Sequence, residues 1–340
     1  ESGRKWAFWE LQNARKSLIC KGSGECRAIT LTNSADNIVG TAGNDKIGGT
    51  NSAAGVQFSA ADTIDGGAGE DTLVLDLNAN YNGGATIKNV EILQVTIDEG
   101  TVGAAAFDAN GISGLTKIVR TAGDASGVAF NNVSTLAALE INNTASNTTV
   151  SYLETAVAGA TDSVAVTLNN VTGGAQVNIN SATPNTAGVE TVAVTATGLA
   201  SNVTLTSNDT SVSKVTVAGS SNLTLTVGTN VTTTATTIDA TGYTGQLTLA
   251  SMGAANHTIT GGSGNDRFQF GANFTNADKV DGGDGVDTLS ANGAQLVAIT
   301  TKLADVKNIE TLELANDVDV IATTVNAANF GSITNVRIAD

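Results

Sequence analysis

Two stretches of the chain, FSAADTIDGGAGEDTL (58–73) and FTNADKVDGGDGVDTL (274–289), align without a gap. Each is followed by a matching apolar segment, IKNVEILQV (87–95) and VKNIETLEL (306–314). Inside the duplicated unit runs a shorter pattern, Gly-Gly-x-Gly-x-Asp-x-apolar. It occurs as GGAGEDTL (66–73), GGSGNDRF (261–268) and GGDGVDTL (282–289), and in degenerate form as GTAGNDKI (40–47). Aspartates recur nine positions apart, Asp36 to Asp45, Asp62 to Asp71 and Asp278 to Asp287, while the residue nine before Asp266 is His257. A unit this short has no interior of its own. It becomes stable only by stacking on neighbouring units, which makes a solenoid the first expectation.

Between the two modules lies a tract of short segments in which Val, Ile or Leu alternate with Thr, Asn or Ala. Clear cases are Val164–Leu168, Val192–Thr195, Val203–Leu205, Val215–Val217, Leu223–Val227 and Leu247–Leu249. Period-two alternation in β-branched residues marks half-buried strands. Similar strands recur every 21–25 residues, at Ile118, Leu139 and Val164, and again at Val203, Leu225 and Leu247. That spacing suits successive coils. A β-sandwich is the competing reading, disfavoured by the lack of tight hairpin signals and by an aromatic content of only 4%, which leaves little to fill a wide interior. FDANGISGL (107–115) and QLVAITTKLADVK (295–307) are the best short helix candidates in the body of the chain. The expected fold is all-β, a parallel β-helix or β-roll solenoid with metal-binding turns near both ends and a short N-terminal helix.

The sharpest compositional break falls near Ala28. Residues 1–28 hold both cysteines (Cys20, Cys26), both tryptophans (Trp6, Trp9) and six basic against three acidic residues. WAFWELQNARKSLI reads as a helix leading into the glycine-rich CKGSGEC loop. It reads as a surface-docking helix, as a small disulfide loop, or as a leader or tail. The domain reading is therefore a basic helical segment at 1–28, a first turn module at 29–90, a strand tract at 91–255, and a second module with terminal coils at 256–340.

A net charge of −16 argues against nucleic acid, whose phosphates require clustered Lys and Arg, and against an anionic membrane surface. No apolar run approaches the roughly 20 residues of a membrane span, and no N-terminal signal peptide is visible. Such an excess of acid points to solubility, to a bound cation, or to both. Catalytic readings are weak. The single histidine, His257, leaves no room for a Ser-His-Asp arrangement, and there is no HExxH, GxSxG or phosphate loop. The chain reads as a non-enzyme.

The glycine-aspartate turns suit a hard cation. Calcium takes six to eight oxygens. Glycine lets the backbone adopt positive φ and turn carbonyls inward, the aspartate adds a charged oxygen, and the apolar residue two places on anchors the next strand. Two stacked turns can complete one site, so binding is expected to be coupled to folding. The motif resembles the RTX (repeats-in-toxin) calcium-binding β-roll, specifically at 36–73 and 257–289. With its Thr/Val-rich solenoid and "NxE" strands, the chain looks closest to RTX-type bacterial surface-layer and surface-adhesin proteins. The resemblance implies several Ca2+ ions, with Asp45, Asp71, Asp266 and Asp287 as side-chain ligands. It implies Asp62, Asp65, Asp278 and Asp281 as participants at the turn edges, and the carbonyls of Gly66, Ala68, Gly282 and Asp284 as backbone donors. Asp36 belongs to the same set, although it and His257 sit in turns without the glycine pair. Runs of only two turns depart from the family pattern, so an inserted loop must complete some sites. The chain ends in SITNVRIAD with no evident C-terminal secretion signal and reads as part of something longer.

The expected function is that of an extracellular, calcium-stabilised structural protein that assembles with copies of itself into a bacterial surface layer, sheath or matrix filament. It would be exported by type I secretion, with cell-surface polysaccharide as a further expected partner. The alternatives are a surface adhesin module for a host or glycan ligand and, less favoured, a polysaccharide-active β-helix enzyme.

Overall fold

The computed structural model describes residues 26–52, 55–97, 104–123, 126–184, 187–228, 230–231, 233–315 and 324–339. The helix expected over WAFWELQNARKSLI, and Cys20, lie outside them. The chain divides into two compact units, Glu1–Ala137 and Ala138–Asp340. Each is an all-β parallel solenoid.

In the first unit, strands Ala28–Thr30, Lys46–Ser52, Thr72–Leu77, Ile92–Ile97 and Lys117–Arg120 stack in one parallel sheet. Asn37–Val39, Thr63–Asp65 and Thr86–Lys88 form a second sheet, and Ala105–Asp108 pairs with Val128–Val133 in a third. Each coil repeats the alternation of the one before it. Leu73, Leu75 and Leu77 lie over Leu93, Val95 and Ile97, all buried, while the intervening residues face outward. The described aromatics of this unit are gathered in one place. Phe58 and Tyr81 lie 4.6 Å apart between ring centroids, Tyr81 and Phe107 4.9 Å, and Phe107 and Phe130 6.3 Å. These rings fill a space that Val and Leu alone would leave open.

The second unit has two sheets. One runs through Ala138–Thr144, Ser163–Val171, Thr191–Ala196, Lys214–Gly219, Thr237–Asp239, Thr258–Thr260, Lys279–Asp281 and Val306–Lys307. The other runs from Thr148–Tyr152 through Ala175–Ser181, Ser201–Thr206, Leu223–Val227, Leu247–Ala250, Arg267–Gly271, Thr288–Asn292 and Thr311–Ala315 to Asn335–Ile338. Every pairing is between equivalent strands of successive coils and is parallel, which excludes the sandwich. Val203 does face Leu225, but Leu225 faces Leu249, and Leu247 faces Leu223 instead. The corner leading into Leu247 shifts the register by one inward-facing position. This swaps one leucine for another without turning the strand over.

Of the two helix candidates, 107–115 is not helical. Phe107 and Asp108 are the last two residues of the strand Ala105–Asp108, and Gly111 (φ 91°) and Gly114 (φ 93°) turn the chain left-handed. Residues 295–307 are helical only in part, in the short helix Gly293–Ala298. Among the described residues no helix is long and apolar enough to cross a membrane.

Candidate metal centres

The glycine turns stack one on another. Turn 66–71 lies on turn 40–45, and turn 282–287 lies on turn 261–266. Contact is too close for side chains. Gly67 has φ 102°, and a Cβ there would sit 2.2 Å from the Thr41 carbonyl oxygen; Gly283 has φ 91°, and its Cβ would sit 2.2 Å from that of Gly262. Asparagine side chains clamp the turns laterally. Asn44 Oδ1 accepts the N–H of Glu70 at 3.0 Å, and Asn265 Oδ1 accepts that of Val286 at 2.9 Å.

The aspartates after the turns form ladders. Asp71 Oδ1 accepts the backbone N–H of Asp45 (2.7 Å), and Asp287 Oδ1 accepts that of Asp266 (2.7 Å). The aspartates' own amides continue downward to glutamates, Asp71 N–H to Glu91 Oε2 (2.7 Å) and Asp287 N–H to Glu310 Oε2 (2.8 Å). Like charges are therefore brought into register one coil apart, 26 residues in the first module and 21 in the second. All four aspartates are buried.

The second oxygens separate upper from lower turns. Asp45 Oδ2 accepts the Thr41 N–H and Asp266 Oδ2 accepts the Gly262 N–H. In the lower turns the matching glycine amides go elsewhere, Gly67 N–H to Asp65 Oδ1 and Gly283 N–H to Asp281 Oδ1. Asp71 Oδ2 and Asp287 Oδ2 are left buried without a hydrogen-bond partner. Each is aimed at a glycine that also meets a carbonyl from the next coil. A Cβ on Gly66 would lie 2.6 Å from Asp71 Oδ2 and 1.8 Å from the Asn89 oxygen; on Gly282, 2.5 Å from Asp287 Oδ2 and 1.8 Å from the Asn308 oxygen. In the upper turns the same arrangement brings Gly66 O to Gly40 and Gly282 O to Gly261.

Burial, with the neighbouring charges of Asp45 and Glu91, pushes the Asp71 carboxyl up to about 6. Burial, with Asp266 and Glu310, pushes Asp287 up to about 7. Burial also raises Asp266, against the amides of Gly262 and Leu247. A buried carboxylate oxygen with no donor is costly. The carbonyl oxygens of Asn89 and Asn308 press on the same glycines, and oxygen is the donor type of a hard cation. Among the described residues no three His, Cys, Asp or Glu side chains gather round one point, so a cation held here draws on backbone carbonyls for the balance.

The remaining expected site residues fall into other settings. Asp36, Asp62 and Asp278 close Thr/Ser corners. Asp62 accepts the amides of Asp36 and Ser59, Asp278 those of His257 and Thr275, and Asp36 takes the amide and hydroxyl of Thr32. Asp65 and Asp281 are ion-paired to Lys88 (2.9 Å) and Lys307 (3.1 Å) and bonded to the Asn89 and Asn308 amides. The Lys88 and Asn89 bonds lower Asp65, and for Asp281 those of Lys307 and Asn308 outweigh burial. Asp284 is exposed, and its amide, like that of Ala68, donates to the turn above. His257 is fully buried and holds a ladder position, accepting the Thr236 N–H on Nδ1 as a carboxylate would. Four residues not singled out by spacing complete the arrangement, Glu91, Glu310, Asn89 and Asn308. Their signal was the matching "NxE" of the two modules, and both asparagines sit at positive φ (53° and 51°).

The family model for the RTX calcium-binding nonapeptide repeat matches residues 31–51, 59–81, 253–273 and 275–294, about a quarter of the chain. The chain carries four RTX calcium-binding repeats. They contain both stacked turn pairs, and the glutamates that end the ladders lie just beyond them. Neither the curated proteins nor the solved structures give a match. The RTX repeats account for the turns and their calcium chemistry. Residues 82–252, which hold nearly all of the strand tract, lie outside every matched segment.

Proposed function

We propose that this is a secreted, calcium-stabilised structural protein whose RTX modules are locked by Ca2+ and which assembles with copies of itself into a surface layer, sheath or matrix filament. The observation that carries the calcium reading is the pair of partnerless buried oxygens, Asp71 Oδ2 and Asp287 Oδ2, in equivalent places of two RTX modules. Asp71 and Asp287 would be the principal carboxylate ligands. Asp45 and Asp266 stand in the coil above, and the carbonyls of Gly66, Asn89, Gly282 and Asn308 are the adjacent backbone donors. Bound calcium would neutralise the stacked carboxylates and fix the turns that position the first strands of each module.

One feature supports assembly. The strand Asn335–Ile338 ends its sheet among the described residues with all four residues exposed, Val336 and Ile338 included, and such an edge favours pairing. The net charge of −16 would oppose contact between copies unless a cation bridges them. The adhesin reading has its own support. The outward rows Asn202–Thr224–Thr248 and Gln176–Thr204–Thr226 each span three coils of neutral hydroxyl and amide groups, the first before it reaches Arg267, a surface suited to a polysaccharide.

Negative-stain imaging and light scattering with calcium and with excess chelator test the main reading. Ordered assemblies that dissolve on chelation are expected. A monomer at high concentration in calcium would end the assembly claim. Unchanged circular dichroism and melting on chelation would end the calcium claim.

A further inference from the structure

The partnerless-oxygen signature of the RTX modules occurs again in the strand tract, where no repeat is matched. Asp162 N–H donates to Glu190 Oε2 at 2.7 Å, as Asp71 does to Glu91 and Asp287 to Glu310. The backbone pairing is also the same. Glu190 N–H returns to the Asp162 carbonyl, and the amides of Ser213 and Lys214 both reach the Glu190 carbonyl. Glu91 is likewise met by Thr116 and Lys117, and Glu310 by Thr334 and Asn335. Asp162 Oδ2 is buried without a partner, as are Asp71 Oδ2 and Asp287 Oδ2.

A second carboxylate in the same corner repeats the contact with glycine. Asp209 is 1% exposed. Its Oδ1 accepts the Ser211 amide at 2.9 Å, and its Oδ2 has no partner. A Cβ on Gly188, two residues before Glu190, would lie 2.5 Å from each of its oxygens. A Cβ on Gly159, three before Asp162, would lie 2.6 Å from Asp162 Oδ1. Glycine pressed against a buried carboxylate is the local arrangement of all four RTX turns. Here it is built from different spacing, with no Gly-Gly-x-Gly run.

We infer that the corner formed by Gly159–Asp162, Gly188–Glu190 and Asp209 is a further calcium site, outside the RTX repeats. The unpartnered oxygens at this corner belong to carboxylates, and carboxylate donors select a hard cation over zinc or copper. Among the described residues no three acidic side chains gather round one point, so Asp162 with Glu190, or Asp209, would supply the charge and backbone oxygens would have to complete the shell. The inference rests on reading the orphaned oxygens of the RTX modules as cation ligands. It extends calcium dependence to coils that the repeat motif does not reach.

Equilibrium dialysis of the full chain against Ca2+ tests it. Asp162→Asn/Glu190→Gln and Asp209→Asn should each lower the bound calcium or weaken its last-filled class by about tenfold, the scale of losing one charged ligand bond. Asp71→Asn/Asp287→Asn should remove ions from the repeats and leave this class in place. A wild-type count retained by the 162/190 and 209 variants overturns the inference alone. A wild-type count retained by the 71/287 variant overturns the repeat reading instead. Should those variants misfold, amide exchange of the wild-type chain decides. Calcium is expected to slow exchange at 159–163 and 188–191, and no slowing there would overturn the site.

Discussion

Glu91 Oε2 accepts the backbone N–H of Asp71 at 2.7 Å, so the lowest carboxylate of the first ladder is itself seated on a second acid. The contact satisfies a buried amide that no strand neighbour reaches, and it holds a negative charge beside Asp71. Glu91→Ala should lower stability by about 1–3 kcal/mol, the cost of a buried donor left unmet. Glu91→Gln keeps the acceptor and relieves repulsion, so it should cost less than about 1 kcal/mol. Urea unfolding at fixed calcium separates the two. Equal midpoints for Ala and wild type would remove Glu91 from the ladder.

Asp71→Asn and Asp287→Asn should act in opposite directions with and without calcium. An asparagine keeps the Oδ1 that accepts the Asp45 or Asp266 amide, and its Nδ2 would face the Asn89 or Asn308 carbonyl. The calcium-free variants should therefore melt higher than the calcium-free parent, while the rise in melting temperature on adding calcium should shrink. A full calcium response in both variants would contradict the assignment.

The same carboxyls set a pH dependence. Their folded pKa values, about 6 for Asp71 and about 7 for Asp287, lie above the unfolded value near 3.8. The folded state then binds more protons than the unfolded one across this interval. The calcium-free chain should gain stability as pH falls from about 7 towards about 4, and calcium binding should weaken over the same range because proton and cation compete. Melting curves at several pH values, with chelator and with calcium, should converge at the acid end. Parallel curves would show that these groups do not carry the calcium effect.

Much of this arrangement was legible in the sequence. Alternation in LTLTV or VAVTL can bury one face only, and glycine pairs before an aspartate mark turns that stack too closely for a Cβ. The matching "NxE" segments already placed Asn89, Glu91, Asn308 and Glu310 in equivalent positions. Which aspartate would be orphaned was not legible, because it depends on whether the Gly67 amide turns to Asp65 or to Asp71. Nor was the split between corner aspartates such as Asp278 and turn aspartates such as Asp287, since both recur at the same nine-residue interval. The Asp162–Glu190 step was hidden because its corner lacks the glycine run, and the Leu225–Leu249 register because corner length is invisible to alternation.

Glu313 offers a test away from the metal sites. It is buried on the outer side of its strand, where it is bonded to Ser290 (2.7 Å), paired with Arg267 and 2.6 Å from Arg337. Burial works to raise its pKa, but the bonds from Ser290 and Arg267 and the charges of both arginines outweigh it and hold the carboxyl below the usual range. Its contribution is therefore present above the ordinary glutamate pKa and lost as pH falls through the lowered one. Glu313→Ala strands the partly buried Arg267 and should cost roughly 3 kcal/mol, the scale of breaking a buried pair. Unfolding at neutral pH and near pH 3 should show that penalty shrinking in acid. A constant penalty would mean that packing, not charge, is what Glu313 supplies.

Gly67→Ala and Gly283→Ala address the stacking itself. Each glycine holds a positive φ (102° and 91°), and the added methyl would meet a carbonyl oxygen of the turn above at 2.2 Å. The left-handed backbone alone costs a non-glycine residue about 1–2 kcal/mol, and the clash must be relieved by lifting one turn off the other. That movement separates Asp71 from the Asp45 amide, or Asp287 from that of Asp266, and opens the oxygen cradle. Calcium affinity should therefore fall at least as steeply as in the aspartate variants, although no ligand side chain has been removed. Gly174→Ala is the control, since it too has a positive φ (71°) but nothing within 4 Å of its Cβ position. It should show a small loss of stability and an unchanged calcium isotherm. If all three variants bound calcium alike, close stacking of the turns would not be what builds the site.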